Sequence, residues 1–84
     1  MKTLALKKIE ERRTFILKRI KNRAIQYNNG EISFEEFLDY KKDYETQFRE
    51  YVRAFWDIEV LTCKERERIM NQFSIDVLEL KKEI

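Results

Sequence analysis

Residues 27–40 read Tyr-Asn-Asn-Gly-Glu-Ile-Ser-Phe-Glu-Glu-Phe-Leu-Asp-Tyr, and what this stretch does decides the fold. It holds Gly30, the single glycine of a chain without proline. Asparagine tolerates the left-handed backbone, and glycine is the residue that most readily follows a helix C-terminus. Ser33 then precedes Glu36 by three places. That is a capping box: the serine oxygen takes the amide of the third helical residue, and the glutamate reaches back to the amide of the cap. Ile32 before the cap and Phe37 after it are spaced for a hydrophobic staple. One helix therefore stops and another starts within a few residues. A turn this short makes the two an antiparallel hairpin.

Working outward, both flanks carry helical periodicity. On the N-terminal side Leu6, Ile9, Ile16, Ile20, Ala24 and Tyr27 recur on one face, with Leu17 beside them. On the other side the stripe is Phe34, Phe37, Leu38, Tyr44, Phe48, Tyr51, Val52, Phe55 and Ile58. A third stripe is Ile69, Phe73, Val77, Leu80 and Ile84. Before it stands a second box, Thr62 to Glu65, with Leu61 in front and Arg66 where a staple partner would sit. No glycine marks the end of the second helix, so this box starts a new helix or marks a kink. The pattern predicts helices near 2–28, 34–61 and 63–83 in one domain over 1–84. The fold class is all-α: a long antiparallel hairpin plus a third helix. That helix either folds back as a three-helix bundle or continues the second into a partner. A bare hairpin would leave aromatic surface exposed, so the bundle, with self-association as a dimer, is the expected form.

The opening stretch also resembles the second half of an EF-hand loop. Gly30 stands at its turn, Ile32 in its short strand, Glu36 at its closing place and Phe37 after it. The loop's first two ligand places fall on Ile25 and Tyr27, which bring no carboxylate, whereas calcium takes roughly six to eight oxygens. No metal or other cofactor is expected. Tyr27, Gly30, Ser33, Leu38 and Asp39 further resemble the Y-x-x-G-x-x-S turn of the outer-membrane efflux channel family, and Tyr51, Ala54, Asp57 and Leu61 continue its helical phase. That resemblance implies a helical hairpin. The chain departs from the family in its length and in lacking a signal peptide and β-barrel strands, so the hairpin is expected and the channel is not.

Composition narrows the function. The chain has 84 residues, 43% apolar and 13% aromatic, which is too apolar for a disordered tail. A domain this small buries only about 60% of its unfolded surface, which is a further reason to expect self-association. No apolar run approaches the roughly 20 residues of a membrane span, and no signal peptide is read. The lone Cys63 excludes an internal disulfide and suits the cytoplasm. There is no histidine, which removes Ser-His-Asp and Cys-His catalysis and the common zinc and di-iron motifs. No catalytic residue is assigned, and the expected function is non-enzymatic.

Charge is unevenly placed. Residues 1–30 hold nine Lys and Arg against two Glu, and residues 31–62 hold four against nine acids. Lys8, Arg12, Arg19 and Arg23 share one face of the first helix and could track phosphates. The competing expectation is that the acidic second helix lies against them, with Glu45, Glu50, Asp57 and Glu59 steering the pairing. Binding of an acidic protein is a third reading. Glu35, Asp39 and Asp43 form a solvated ridge. Arg13 falls inside the apolar stripe, where an arginine is costly unless it is paired, snorkels or marks a register; Asp76, in the apolar region of the third helix, is one partner the sequence offers. Tyr40 and Trp56 lie off the main stripe, as anchors for a partner or as packing under the third helix or in a dimer. Cys63 is expected as a small apolar filler, or as a thiol activated at a helix N-terminus.

Together these features predict a small helical regulator or inhibitor that binds another protein. Its size and its Lys-, Ile-, Asn- and Glu-rich composition would suit a phage or mobile element of an AT-rich host. The alternative is a nucleic-acid-binding protein that uses Lys8, Arg12, Arg19 and Arg23.

Overall fold

The computed structural model describes residues 2–83, with side chains through Leu80. It contains three helices, α1 (Lys2–Asn28), α2 (Phe34–Asp57) and α3 (Cys63–Glu83), and no strand among the described residues. The fold is an all-α three-helix bundle, with principal extents of 43 × 20 × 18 Å. The long dimension matches α1, which spans roughly 40 Å at about 1.5 Å per residue.

The first turn forms as its sequence dictates. Gly30 sits at φ 77°, donates to the Tyr27 carbonyl at 3.0 Å, and Glu31 donates to the Gln26 carbonyl at 2.9 Å. This is a Schellman ending, which needs a left-handed residue just past the helix. Nothing lies within 4 Å of where a Cβ on Gly30 would stand, so glycine serves the backbone angle and not a shortage of room. Ser33 Oγ accepts from the Glu36 amide, and Glu36 Oε1 accepts from the Ser33 amide, both at 3.1 Å. Glu36 is thus engaged in the cap, not held out for a cation.

The second turn corrects the sequence reading. Helix α2 ends at Asp57, not at residue 61. Glu59 adopts φ 61°, donates to the Trp56 carbonyl at 2.9 Å, and Val60 donates to the Phe55 carbonyl at 3.0 Å. The same Schellman pattern is built here without glycine. The chain then enters α3 through the Thr62 box: Thr62 Oγ1 accepts from the Glu65 amide at 3.2 Å, and Glu65 Oε1 accepts from the Thr62 amide at 2.9 Å. Leu61, just before that cap, is buried.

Helix α3 folds back instead of extending α2. It runs parallel to α1 in a constant register, shown by ion pairs from Lys2 to Glu65 at 3.0 Å and from Arg13 to Asp76 at 2.9 Å. The core gathers Ile9, Ile16 and Ile20 of α1, Phe48 and Val52 of α2, Leu61, and Phe73 and Val77 of α3. Phe48 is fully buried and stacks on Phe73 with ring centroids 4.3 Å apart. Arg13 finds the expected Asp76, together with Glu10 at 3.2 Å, and Gln72 donates to the other Asp76 oxygen at 3.1 Å.

Five residues of the expected stripes are instead exposed: Leu6, Tyr27, Phe34, Leu38 and Ile58. Ile58 leaves the stripe because the helix has already ended. Tyr27, Phe34 and Leu38 lie at the hairpin tip. In the register set by Arg13 and Asp76, Glu83 is level with Ile20, so the tip rises past the described end of α3. Tyr27 covers itself locally against Phe34 and Phe37, at 5.5 and 5.9 Å. Ala5 is buried where Leu6 was expected. Ile84, expected in the third stripe, lies outside the described residues.

Candidate functional site

Near the lower end of α2, Trp56 stands half-buried between two helices. Its indole N–H points at Cys63 Sγ, 3.4 Å away, and the Arg66 guanidinium lies 4.6 Å from the ring centroid. The tight second turn explains both contacts. It returns the chain within a few residues, so the first turn of α3 falls beside the last turns of α2. Cys63 is exposed, not an apolar filler, because the first helical residue after the cap faces solvent here.

Trp56 edges a groove of about 410 Å³ between α2 and α3, lined also by Arg49, Val52, Arg53, Arg66 and Met70. A second depression of about 280 Å³ shares Arg49 and Met70 with it and runs on past Phe73 and Val77 to Leu78. The far wall there is the Lys41–Glu45 ion pair at 2.9 Å, which is internally neutral. The two depressions adjoin at Arg49 and Met70 along the α2–α3 seam and are treated together as one furrow. Buried Val52, Phe73 and Val77 lie along its floor, Arg53 and Arg66 stand at its Trp56 end, and Arg49 stands where the two depressions meet. Of these, Arg53 has Asp57 at a loose 3.8 Å, and Arg49 has no ionic partner among the described residues. Along α3, Leu78 at the edge of the furrow and Ile75 toward α1 are exposed one turn apart.

The basic face of α1 lies along a different seam, that between α1 and α2. Arg23 stacks on Tyr40 at 3.8 Å and donates to Gln26 at 3.0 Å. A hydrogen bond to Tyr44 holds its guanidinium pKa above the ordinary value. Arg12 lies 4.8 Å from Tyr51, and Arg19 lies 4.8 Å from Phe15, an exposed ring that Arg12 also approaches at 5.8 Å. Lys8 is exposed. The expected charge steering between α1 and α2 takes another form. Glu45 pairs with Lys41 and Asp57 with Arg53, each within α2, while Glu50 and Glu59 are exposed. A partner one turn away on the same helix is always within reach. An arginine that crosses this seam meets tyrosine faces instead, which suit a guanidinium.

The two aromatic candidates are therefore not brought together. Tyr40 is half-buried under Arg23 in the α1–α2 seam, and Trp56 sits in the α2–α3 furrow, roughly 24 Å farther along α2 at about 1.5 Å per residue. Reasoning from sequence missed Arg49, Arg53 and Met70. A signal existed: Arg49 and Arg53 are one turn apart, and Trp56 follows Arg53 by three places, so the three share a side of α2. It missed Phe15 as well, placed within a turn of both Arg12 and Arg19. Glu35, Asp39 and Asp43 are all exposed, as a solvated ridge requires. These surfaces present guanidinium forks, ring faces and an apolar floor.

Comparison of the chain with protein-family models, with curated proteins and with solved structures finds no match.

Proposed function

We propose that this is a small non-enzymatic interaction protein, a regulator or inhibitor that acts by docking another protein on the α2–α3 furrow. The observation that carries the reading is Trp56, fixed by Cys63 and Arg66 at the mouth of a groove that also holds Arg49, Arg53 and Met70. Tryptophan, arginine and methionine are the side chains enriched at protein interfaces, and tryptophan and arginine supply most energetic anchors. A ring already held in place loses little freedom on binding, which favours affinity. Self-association belongs to the same proposal, with Ile75 and Leu78 as the apolar residues that α3 leaves exposed. An unpaired exposed cysteine suits a reducing compartment, consistent with a cytoplasmic setting. No helix among the described residues is long and apolar enough to cross a membrane. An origin in a phage or mobile element remains part of this reading on composition alone.

The second reading, nucleic-acid binding, is favoured by Phe15 lying exposed between Arg12 and Arg19, since stacking rings beside cations suit single strands. It ranks lower because Arg12 and Arg23 lie on tyrosine faces of this chain, and Glu50 lines the same depression as Arg12.

One experiment separates the two. A photo-crosslinking phenylalanine analogue is placed at Leu78 in one variant and at Phe15 in another, and each is irradiated in the producing cell. A discrete protein adduct from position 78 that is lost with Trp56→Ala is the expected result. Adducts to nucleic acid from position 15, with none from 78, would reverse the ranking.

A further inference from the structure

We infer that the occupant of the furrow is a single amphipathic helix with carboxylates clustered at one end, seated with that end against Arg49, Arg53 and Arg66. This rests on the docking reading above and names the chemistry of its partner. Two features of the furrow carry it. The first is shape. From Trp56 to Lys41 the furrow follows α2 for roughly 22 Å at about 1.5 Å per residue, the span of about four helical turns. An apolar floor between two helices is what the apolar stripe of a third requires, and such helices are read by anchors three, four and seven residues apart. The second is charge. Three arginines line the Trp56 half of the furrow, Arg53 and Arg66 beside Trp56 and Arg49 where the two depressions meet, and the one ion pair among them is Arg53 with Asp57 at 3.8 Å. The opposite end is walled by an internally satisfied Lys41–Glu45 pair and asks for no charge. Arginine forks match carboxylates two bonds at a time, so acids at one end both add contacts and set the direction of the incoming helix. A lysine-rich helix would bring like charges together.

Trp56 is the chain's single tryptophan, so its emission reports this groove alone. The probes are three synthetic, tryptophan-free amphipathic peptides of one length and one apolar pattern, ending in glutamates, in lysines or in neutral glutamines. Each is titrated into the full chain and into an Arg49→Glu, Arg53→Glu variant whose folding is verified by circular dichroism. The expected result is a saturable shift of Trp56 emission with the glutamate peptide, about tenfold tighter than with the lysine peptide at low salt, with the order reversed in the variant. Equal binding of all three peptides overturns the acidic assignment and leaves the docking reading standing. No response to any peptide, with a protein adduct still formed at position 78, overturns the helical partner alone. No response and no adduct overturn both. A shift of emission on simple dilution, together with a dimer in sedimentation, overturns the inference in favour of a second copy as occupant.

Discussion

Among the described residues, Glu59 is the non-glycine residue that carries left-handed backbone strain. It holds φ 61° at the end of α2, a region that costs a side chain with a Cβ roughly 1 kcal/mol or more. The chain accepts this because the two hydrogen bonds of the ending and the burial of Leu61 follow from it. Glu59→Gly should therefore stabilise the protein by up to about 1 kcal/mol, less the entropy that glycine adds to the unfolded chain, measured by urea denaturation. A loss of stability would mean that the Glu59 side chain holds a favourable contact that outweighs its backbone angle.

At the scale of elements, each helix boundary is set by a few side chains, and Glu65 links a boundary to a neighbouring helix. Its carboxylate accepts from the Thr62 amide and pairs with Lys2 of α1. The Thr62 hydrogen bond first, and Lys2 second, hold its pKa below the ordinary value. A carboxylate whose folded pKa is depressed adds stability above its unfolded pKa, about 4.3, and loses it as pH falls through the folded value. The melting temperature of Glu65→Gln, which keeps the cap acceptor but not the charge, should lie below that of the parent at neutral pH. The gap should close on acidification below about pH 4. Parallel curves across the whole range would remove the charge from the account. The boundaries also show how legible elements are. The Gly30 turn and both capping boxes stand in the sequence as written. The end of α2 was hidden, because its left-handed residue is a glutamate and no glycine announces it.

At the scale of the molecule, the question is what sets three helices in one register. Arg13 and Asp76 are about a quarter exposed, and their pairing joins residues that are distant in sequence. Such a pair discriminates among alignments more than it stabilises any one, because a slip of one turn parts the two and sets Asp76 level with Glu10 or Leu17. A double-mutant cycle with Arg13→Met and Asp76→Leu should return a coupling of about 1 to 2 kcal/mol by urea denaturation. Each single variant should be less stable than the double. Zero coupling would leave the alignment to the stack of Phe48 on Phe73.

By itself the sequence determined the helices, because periodicity, caps and the one glycine are local signals that act within a turn or two. It also singled out Arg13 as a charge within an apolar stripe and offered Asp76 as one partner, but only the packing of α1 beside α3 made the pair. Tertiary structure decided the rest. Whether α3 folds back depends on a left-handed Glu59, tolerated only because Leu61 and α3 then find the core. The gathering of Arg49, Arg53 and Arg66 around Trp56 needs α2 and α3 side by side. Two of those arginines are legible on one helix, but the groove they share with the third exists only once the helices pack.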